Sequence, residues 1–267
     1  MNELMTPQGA IRYSMTGHGS AVVFLHSALG DHRQWGVQVE ALSREYRCIT
    51  YDLLGYGSSD NAPEKYDPAD TLLALLDHLE VATTTLVGSS LGGSVAIHTA
   101  VRHPDRIRWL VLAGTGLFGF QPQVDGPEPA IYAEYEAALA AHNVSRLVDL
   151  AEVLWLVGID GSERHVDPDH RELFRLMYRE FPNSRHGEFT PYADINDIDA
   201  LAHLAMPVLV IIGDNDTAFC LAAADYLEQT LPRATLVRMP AVAHFPNLSK
   251  PTEVSKLLLR WLHKTHE

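Results

Sequence analysis

Short apolar runs rich in β-branched residues recur along the chain, each bounded by Gly, Asp or Pro, with longer stretches of helical period between them. The runs at 22–26, 48–52, 85–88, 110–113, 207–213 and 235–239 are apolar at successive positions rather than at alternate ones. Such runs predict strands covered on both faces, as in a parallel sheet between two helix layers. Residues 69–81 carry Leu72, Leu73, Leu75, Leu76 and Leu79 as one helical stripe, and 221–230 continue the alternation, stopping before Pro232. The last helix is predicted over 252–263, opening after Pro251 and burying Val254, Leu257, Leu258 and Trp261 at helical spacing. Strand and helix in alternation predict an α/β fold: a mostly parallel central sheet flanked by helices.

One stretch breaks the alternation. From 115 to 204 no strand pattern is visible; a Gly/Pro-rich lead-in is followed by helical segments at 131–142, 145–157 and 169–180. Asp167-Pro168 reads as an N-cap followed by proline at the first helical position. The expected organisation is therefore a core of residues 1–114 and 205–267 interrupted by a helical cap at 115–204, placed over the strand ends as a lid. No internal repeat or low-complexity tract is present.

Length, charge and cysteines narrow the function classes. At 267 residues the chain suits one large domain or one domain with an insert. Its formal net charge of −14 disfavours nucleic acid and anionic membrane surfaces as partners. The longest apolar runs, such as Val208 to Ile212, stop far short of the ~18–20 residues a membrane span needs. The first residues lack a basic flank followed by an apolar stretch, so no secretory signal is expected. The two cysteines, Cys48 and Cys220, show no C-x-x-C pairing and read as ordinary thiols of a reducing, cytoplasmic compartment.

The sharpest local signal is G-x-S-x-G at Gly88-Ser89-Ser90-Leu91-Gly92. As a bare string it would arise by accident in about one chain of this length in ten. Its setting makes it informative: a predicted strand runs into it, and 91–102 continue with the helical spacing of Leu91, Val95, Ile97 and Val101. Strand, sharp turn and helix are what a nucleophile elbow requires, because the serine must sit on a strained turn with small neighbours and a helix N-terminus beside it. Ser89 is not an alternative, since Val87 and Leu91 flank it at two residues' distance.

A serine hydroxyl needs a base, and the base needs an orienting carboxylate, in the chain order serine, acid, histidine on this topology. The strand at 207–213 ends in Gly213-Asp214-Asn215-Asp216, and the strand at 235–239 ends in a loop carrying His244. By spacing alone Asp214 and Asp216 compete for the acid role. Two N–H donors are also needed for a developing oxyanion. Leu91, following the serine, supplies one, and Ala28, in the small-residue loop His26-Ser27-Ala28-Leu29-Gly30, is nominated for the other. No H-E-x-x-H, G-x-G-x-x-G or Walker pattern is present, so neither a metal nor a cofactor is expected.

Taken together these segments resemble the α/β-hydrolase superfamily over nearly the whole chain. His26-Ser27-Ala28 resembles its H-G-x oxyanion loop, Asp52 to Ser59 its D-x-x-G-x-G-x-S loop, His103-Pro104-Asp105-Arg106 the segment after the elbow helix, and Ala243-His244 its G-H loop. Gly213 to Asp216 resembles G-x-x-D, and this resemblance is what favours Asp216 over Asp214. Ser27 stands in place of the usual glycine, and Ser249 where many members carry glutamate. The Ser27 form with Leu29-Gly30 and then Trp35 is similar to 3-oxoadipate enol-lactonases and related small lactonases.

The resemblance implies a serine hydrolase with Ser90, Asp216 and His244 as catalytic residues, acting on a small-molecule ester or lactone. Carbon–carbon bond hydrolysis, cofactor-free perhydrolysis, thioester hydrolysis, hydroxynitrile lysis and a slow-turnover signalling receptor use similar parts. A serine at the elbow disfavours haloalkane dehalogenases and epoxide hydrolases, whose nucleophile is aspartate. Phe118, Trp155 and Phe245 are nominated to contact substrate, although most aromatic residues of the cap are expected to pack its own helices.

Overall fold

The structure, a computed structural model, describes residues 1–123, 129–159, 166–180 and 194–264. A hairpin of β1 (Asn2–Thr6) and β2 (Gly9–Thr16) leads into β3 (Ala21–Leu25), a 3₁₀ turn (His32–Trp35), α1 (Gly36–Leu42), β4 (Arg47–Tyr51) and α2 (Pro68–His78). Then come β5 (Thr84–Ser89), α3 (Leu91–Arg102) and β6 (Ile107–Ala113). Next follow α4 (Ala130–Ala140), α5 (Val144–Ala151), running directly into a π-helical turn (Glu152–Val157), and α6 (Pro168–Glu180). The chain returns through β7 (Val208–Gly213), α7 (Ala218–Thr230), β8 (Ala234–Met239), α8 (Pro246–Ser249) and α9 (Pro251–Lys264). Among the described residues eight strands form one sheet in the order β1-β2-β4-β3-β5-β6-β7-β8. Pairing is antiparallel only at β1·β2 and β2·β4 and parallel from β4 to β8.

The successive apolar positions of the parallel strands are divided between two cores. In β3, Val23 and Leu25 face the cluster that holds α2, α3 and α7, while Val22 and Phe24 face the one that holds α1 and α9. In β6, Leu110 and Leu112 take the first side and Trp109, Val111 and Ala113 the second. Each fully buried Leu, Ile or Phe contributes roughly 1.5–3 kcal/mol relative to exposure. This two-sided demand is why the strands read as continuous apolar runs. A third cluster, with Leu147, Leu150, Phe174, Met177 and Tyr178, forms between α5, α6 and the π-helical turn and also takes in Phe245 and Leu248.

The six strands read from the runs are present with ends displaced by at most three residues, and the segment between β6 and β7 carries helices and no strand among its described residues. Asp167 accepts from the Asp169 N–H at 2.9 Å, the capping role its position predicts. The β1–β2 hairpin and the helical segment 32–42 were not legible. β1 is an edge strand with Met5 at 69% exposure, so it shows no continuous apolar run. In 32–42 the buried positions include Gln34 and Gln38, at 1% and 0% exposure, and polar residues on the inner face erase the helical period. Among the described residues, no helix is long and apolar enough to cross a membrane.

Candidate active site

β5 ends in the middle of the sheet, between β3 and β6. Ser90 follows it with φ +50° and ψ −115°, a backbone region that L-residues rarely occupy and that the surrounding structure must hold. The Ser90 N–H donates to Ala113 O at 3.1 Å, and its carbonyl accepts from Gly93 and Ser94 N–H at 2.9 and 3.1 Å, locking the turn between β6 and α3. A Cβ on Gly92 would lie 2.6 Å from the His26 carbonyl oxygen, so only glycine lets α3 start this close to the end of β3. Ser90 itself stays partly exposed.

β7 and β8 deliver the next two groups from neighbouring loops. The Asp214 and Asn215 N–H groups donate to Met239 and Val242 carbonyls at 3.0 and 2.9 Å, tying the two loops together. His244 Nδ1 donates to Asp216 Oδ1 at 2.8 Å, with the side chains 5% and 0% exposed. Asp216 Oδ1 also accepts from the Thr217 N–H at 2.6 Å. Asp214, the rival by spacing, is exposed at the loop tip. Burial is the largest influence on His244 and opposes its charge, but the Asp216 carboxylate and Cys220 outweigh it and hold the imidazole well above its ordinary pKa.

The loop after β3 is braced from several sides. Ser27 N–H donates to Gln34 Oε1 at 2.8 Å and Leu29 N–H to Ser27 Oγ at 3.2 Å, while among the described residues no group accepts from Ala28 N–H. Leu91, the first residue of α3, likewise carries an N–H that the helix itself leaves unused. His26 is fully buried, donates from Nδ1 to Ser27 O at 2.8 Å and accepts from Leu53 N–H at Nε2, at 2.9 Å. Burial lowers its pKa, which keeps it the neutral tautomer that this donor–acceptor pair requires. Trp35 Nε1–H donates to Leu25 O at 3.1 Å, and Asn247 Nδ2 to Gln34 O at 2.9 Å. Gln34 and Asn247 escape a reading by motif, because their importance lies in partners 7 and 213 residues away.

The three residues nominated for substrate contact occupy different surroundings. Trp155 lies in the π-helical turn, its ring edge-on to Tyr135 at 5.1 Å, and its carbonyl accepts from the His244 N–H at 2.9 Å. Phe118 is half-buried, edge-on to His98 of α3 at 6.2 Å. Phe245 departs from the expectation: it is 0% exposed, sealed against Phe174 at 5.2 Å in the third cluster. A side chain with no exposed surface has none to offer a ligand, so its role here is to pack the helical segment onto the histidine loop.

Cys220 is a free thiol, as its sequence spacing implied, and its surroundings add what the spacing did not show. It is buried in the first turn of α7, and its sulfur, an Asp216 carboxylate oxygen and a His244 ring nitrogen all lie within 4.8 Å of one another. The second sequence thiol, Cys48, sits in the apolar core with its pKa pushed up to about 12 by burial. A linear scan for ligand motifs finds no cluster, whereas folding also gathers Asp31, His32 and Asp52.

Comparison with known proteins gives consistent results. The profile of the family described as alpha/beta hydrolase fold matches residues 20–251. The chain is 30% identical over 249 residues to a pimeloyl-[acyl-carrier protein] methyl ester esterase of Nitrosomonas europaea, covering 91% of this chain and 96% of that protein. It is 32% identical over 229 residues to a 2-hydroxymuconate semialdehyde hydrolase of Pseudomonas putida, covering 82% and 78%. A biotin biosynthesis bifunctional protein BioHC of Teredinibacter turnerae is 29% identical over 92% of this chain, which spans 45% of that protein. The crystal structure of an enol-lactonase from Burkholderia xenovorans superimposes with a TM-score of 0.81 at 23% identity, covering 98% of this chain and 100% of that one, a likeness of fold.

Proposed function

The chain belongs to the alpha/beta hydrolase fold family, and from that premise we propose that it hydrolyses a carboxylic ester or lactone through a covalent acyl-enzyme on Ser90. The observation that carries this reading is the buried 2.8 Å bond from His244 to Asp216 in loops at the same sheet edge as the Ser90 turn. With Nδ1 bound to the carboxylate, the His244 imidazole presents Nε2 as its basic nitrogen. Nε2 takes the Ser90 proton as Oγ attacks the carbonyl carbon, and Asp216 stabilises the imidazolium that forms. Leu91 and Ala28 N–H groups receive the negative charge on the carbonyl oxygen. His244 then protonates the leaving alkoxide, and the same base activates water to release the acid and restore Ser90.

The helical segment between β6 and β7 acts as a lid, and its aromatic residues Trp155 and Phe118 suit small to medium hydrophobic acyl or aryl groups. Relatives named as an ester esterase and as a semialdehyde hydrolase support hydrolysis and leave carbon–carbon cleavage as the second reading. Both cysteines are free and buried, in keeping with a cytoplasmic setting. The test is nitrophenolate release from p-nitrophenyl acetate, butyrate and octanoate by the parent and by Ser90→Ala. Multiple turnovers lost in the variant support the ester reading and rank the acyl pocket by length. A single burst, or no release, moves the assignment to carbon–carbon substrates or to a slow receptor. Turnover that survives Ser90→Ala overturns the role of Ser90.

A further inference from the structure

Cys220 has no part in the mechanism above, yet it shares its surroundings with the two residues on which that mechanism turns. Its sulfur, a carboxylate oxygen of Asp216 and a ring nitrogen of His244 lie within 4.8 Å of one another, and all three residues are buried. Asp216 Oδ1 serves His244 and Thr217, but Oδ2 is buried without a hydrogen-bond partner among the described residues. An ionised oxygen left so in a protein interior is costly, and a cation beside it removes the cost. We infer that Asp216, Cys220 and His244 form a binding site for a thiophilic divalent cation, zinc being the physiological example, and that occupation silences the enzyme.

The donor set decides the class of ion. One thiolate, one imidazole and one carboxylate match zinc, whereas magnesium and calcium prefer oxygen ligands alone. Tetrahedral zinc with bonds of about 2.0–2.3 Å sets its ligand atoms roughly 3.3–3.8 Å apart. The 2.8 Å bond from Nδ1 to Oδ1 must therefore give way, with the unpartnered Oδ2 as the oxygen that takes the ion, and a separation at the 4.8 Å limit would close by roughly 1.0–1.5 Å. The other assembled group makes a useful contrast. Asp52 Oδ1 accepts from His32 N–H and Nδ1 and its Oδ2 from Ser58 N–H, while both oxygens of Asp31 are taken by Arg33. With its oxygens committed and a guanidinium alongside, that group offers a cation nothing.

Silencing follows from the tautomer, and here the inference rests on the function proposed above. The metal bonds to Nδ1, so the single proton of the neutral imidazole must sit on Nε2. The Cys220 thiol gives its proton to solvent, and the imidazole keeps one proton that moves from Nδ1 to Nε2. Nε2 then carries a hydrogen where the mechanism needs a lone pair, and Ser90 loses its base.

Cobalt(II) is the direct probe, because a thiolate bound to it gives a near-ultraviolet charge-transfer band whether or not the protein turns over any ester. Metal-free protein, Ser90→Ala and Cys48→Ala are expected to bind one equivalent with the band. Cys220→Ala, and the isosteric Cys220→Ser should the alanine variant misfold, are expected to lack it. Zinc at saturation is expected to lower ester turnover at least tenfold in the parent, reversibly with chelator. In the Cys220 variants, each against its own zinc-free rate, the drop should be under twofold, since losing one of three ligands exceeds the ~10–100-fold that an outer partner is worth. No band in the parent, or a band that survives Cys220→Ser, overturns the site. Normal turnover by zinc-loaded protein overturns the silencing, whereas a band in a protein with no esterase activity keeps the site and defeats the proposed function instead.

Discussion

Asp216→Asn tests the centre of the proposed mechanism, because it removes a charge while nearly preserving shape. In the parent, Oδ1 accepts from both His244 Nδ1 and Thr217 N–H, at 2.8 and 2.6 Å. An asparagine oxygen can take that same place and accept both bonds, which keeps the productive tautomer and turns the variant into a measure of charge alone. The carboxylate and the imidazolium formed in the transition state lie about 4 Å apart between charge centres, and at an effective dielectric constant of about 20 their attraction is about 4 kcal/mol. That corresponds to about a 10³-fold loss of kcat, rising toward about 10⁴-fold if the amide turns and reverses the tautomer. Asp214→Asn, at the exposed loop tip, should change kcat by less than about twofold. The assay is kcat for p-nitrophenyl butyrate, with urea unfolding to show that both variants are folded. An Asp216→Asn enzyme retaining more than about a tenth of kcat, or an equal loss in Asp214→Asn, refutes the assignment.

The pH dependence carries a sign that follows from the same pair. The base must be neutral, and Asp216 and Cys220 hold His244 charged to higher pH than usual against the opposing effect of burial, so kcat/KM should fall as pH drops through a value above 6.5; in Asp216→Asn the limb should move to lower pH. The pair's contribution to stability runs the other way, being full below the unfolded histidine's pKa and lost as pH rises through the raised folded value, which urea midpoints against pH will read. Ser90→Gly relieves a backbone at φ +50° and should stabilise the fold by about 1 kcal/mol while abolishing turnover; an unchanged urea midpoint would show the turn to be unstrained. Gly92→Ala forces a Cβ against the carbonyls that end β3 and should cost about 1–3 kcal/mol and lower kcat, measured by thermal unfolding and initial rates. His98→Ala leaves Asp67 and Asp197, bonded to its two ring nitrogens at 3.1 and 3.0 Å, without a shared partner, and should cost about 3 kcal/mol in unfolding free energy.

Much of this molecule was written in local pattern. Runs apolar at successive positions predicted parallel strands covered on both faces, which holds for β3, β5 and β7 but not for β8, a parallel strand at the edge of the sheet that is buried only at Met239; Gly-x-Ser-x-Gly between a strand and a helix predicted a tight turn. The chain order of Ser90, an acid after β7 and His244 after β8 followed without coordinates. Fold class, and the candidates Ser90 and His244 proposed as nucleophile and base, were therefore legible from period, turn chemistry and order, which are properties of neighbours in sequence. The candidate acid was legible only through the G-x-x-D resemblance, since by spacing Asp214 and Asp216 compete, and in space it is Asp216 that is buried against His244 while Asp214 is exposed. Nor was the β1–β2 hairpin, whose exposed edge has no need of an apolar run, or the helical segment 32–42, whose inner face spends Gln34 and Gln38 on distant backbone groups. Phe245 and Cys220 sit beside candidate site residues in sequence or in space, and only packing shows their surroundings: Phe245 is sealed into the insert's cluster and Cys220 lies beside the Asp216–His244 pair. Secondary structure follows from what each residue demands of its own backbone and of the residues one turn or one pleat away. Which polar groups finally meet depends on contacts across as many as 218 residues, and those form only when the whole sheet and both its helix layers are in place.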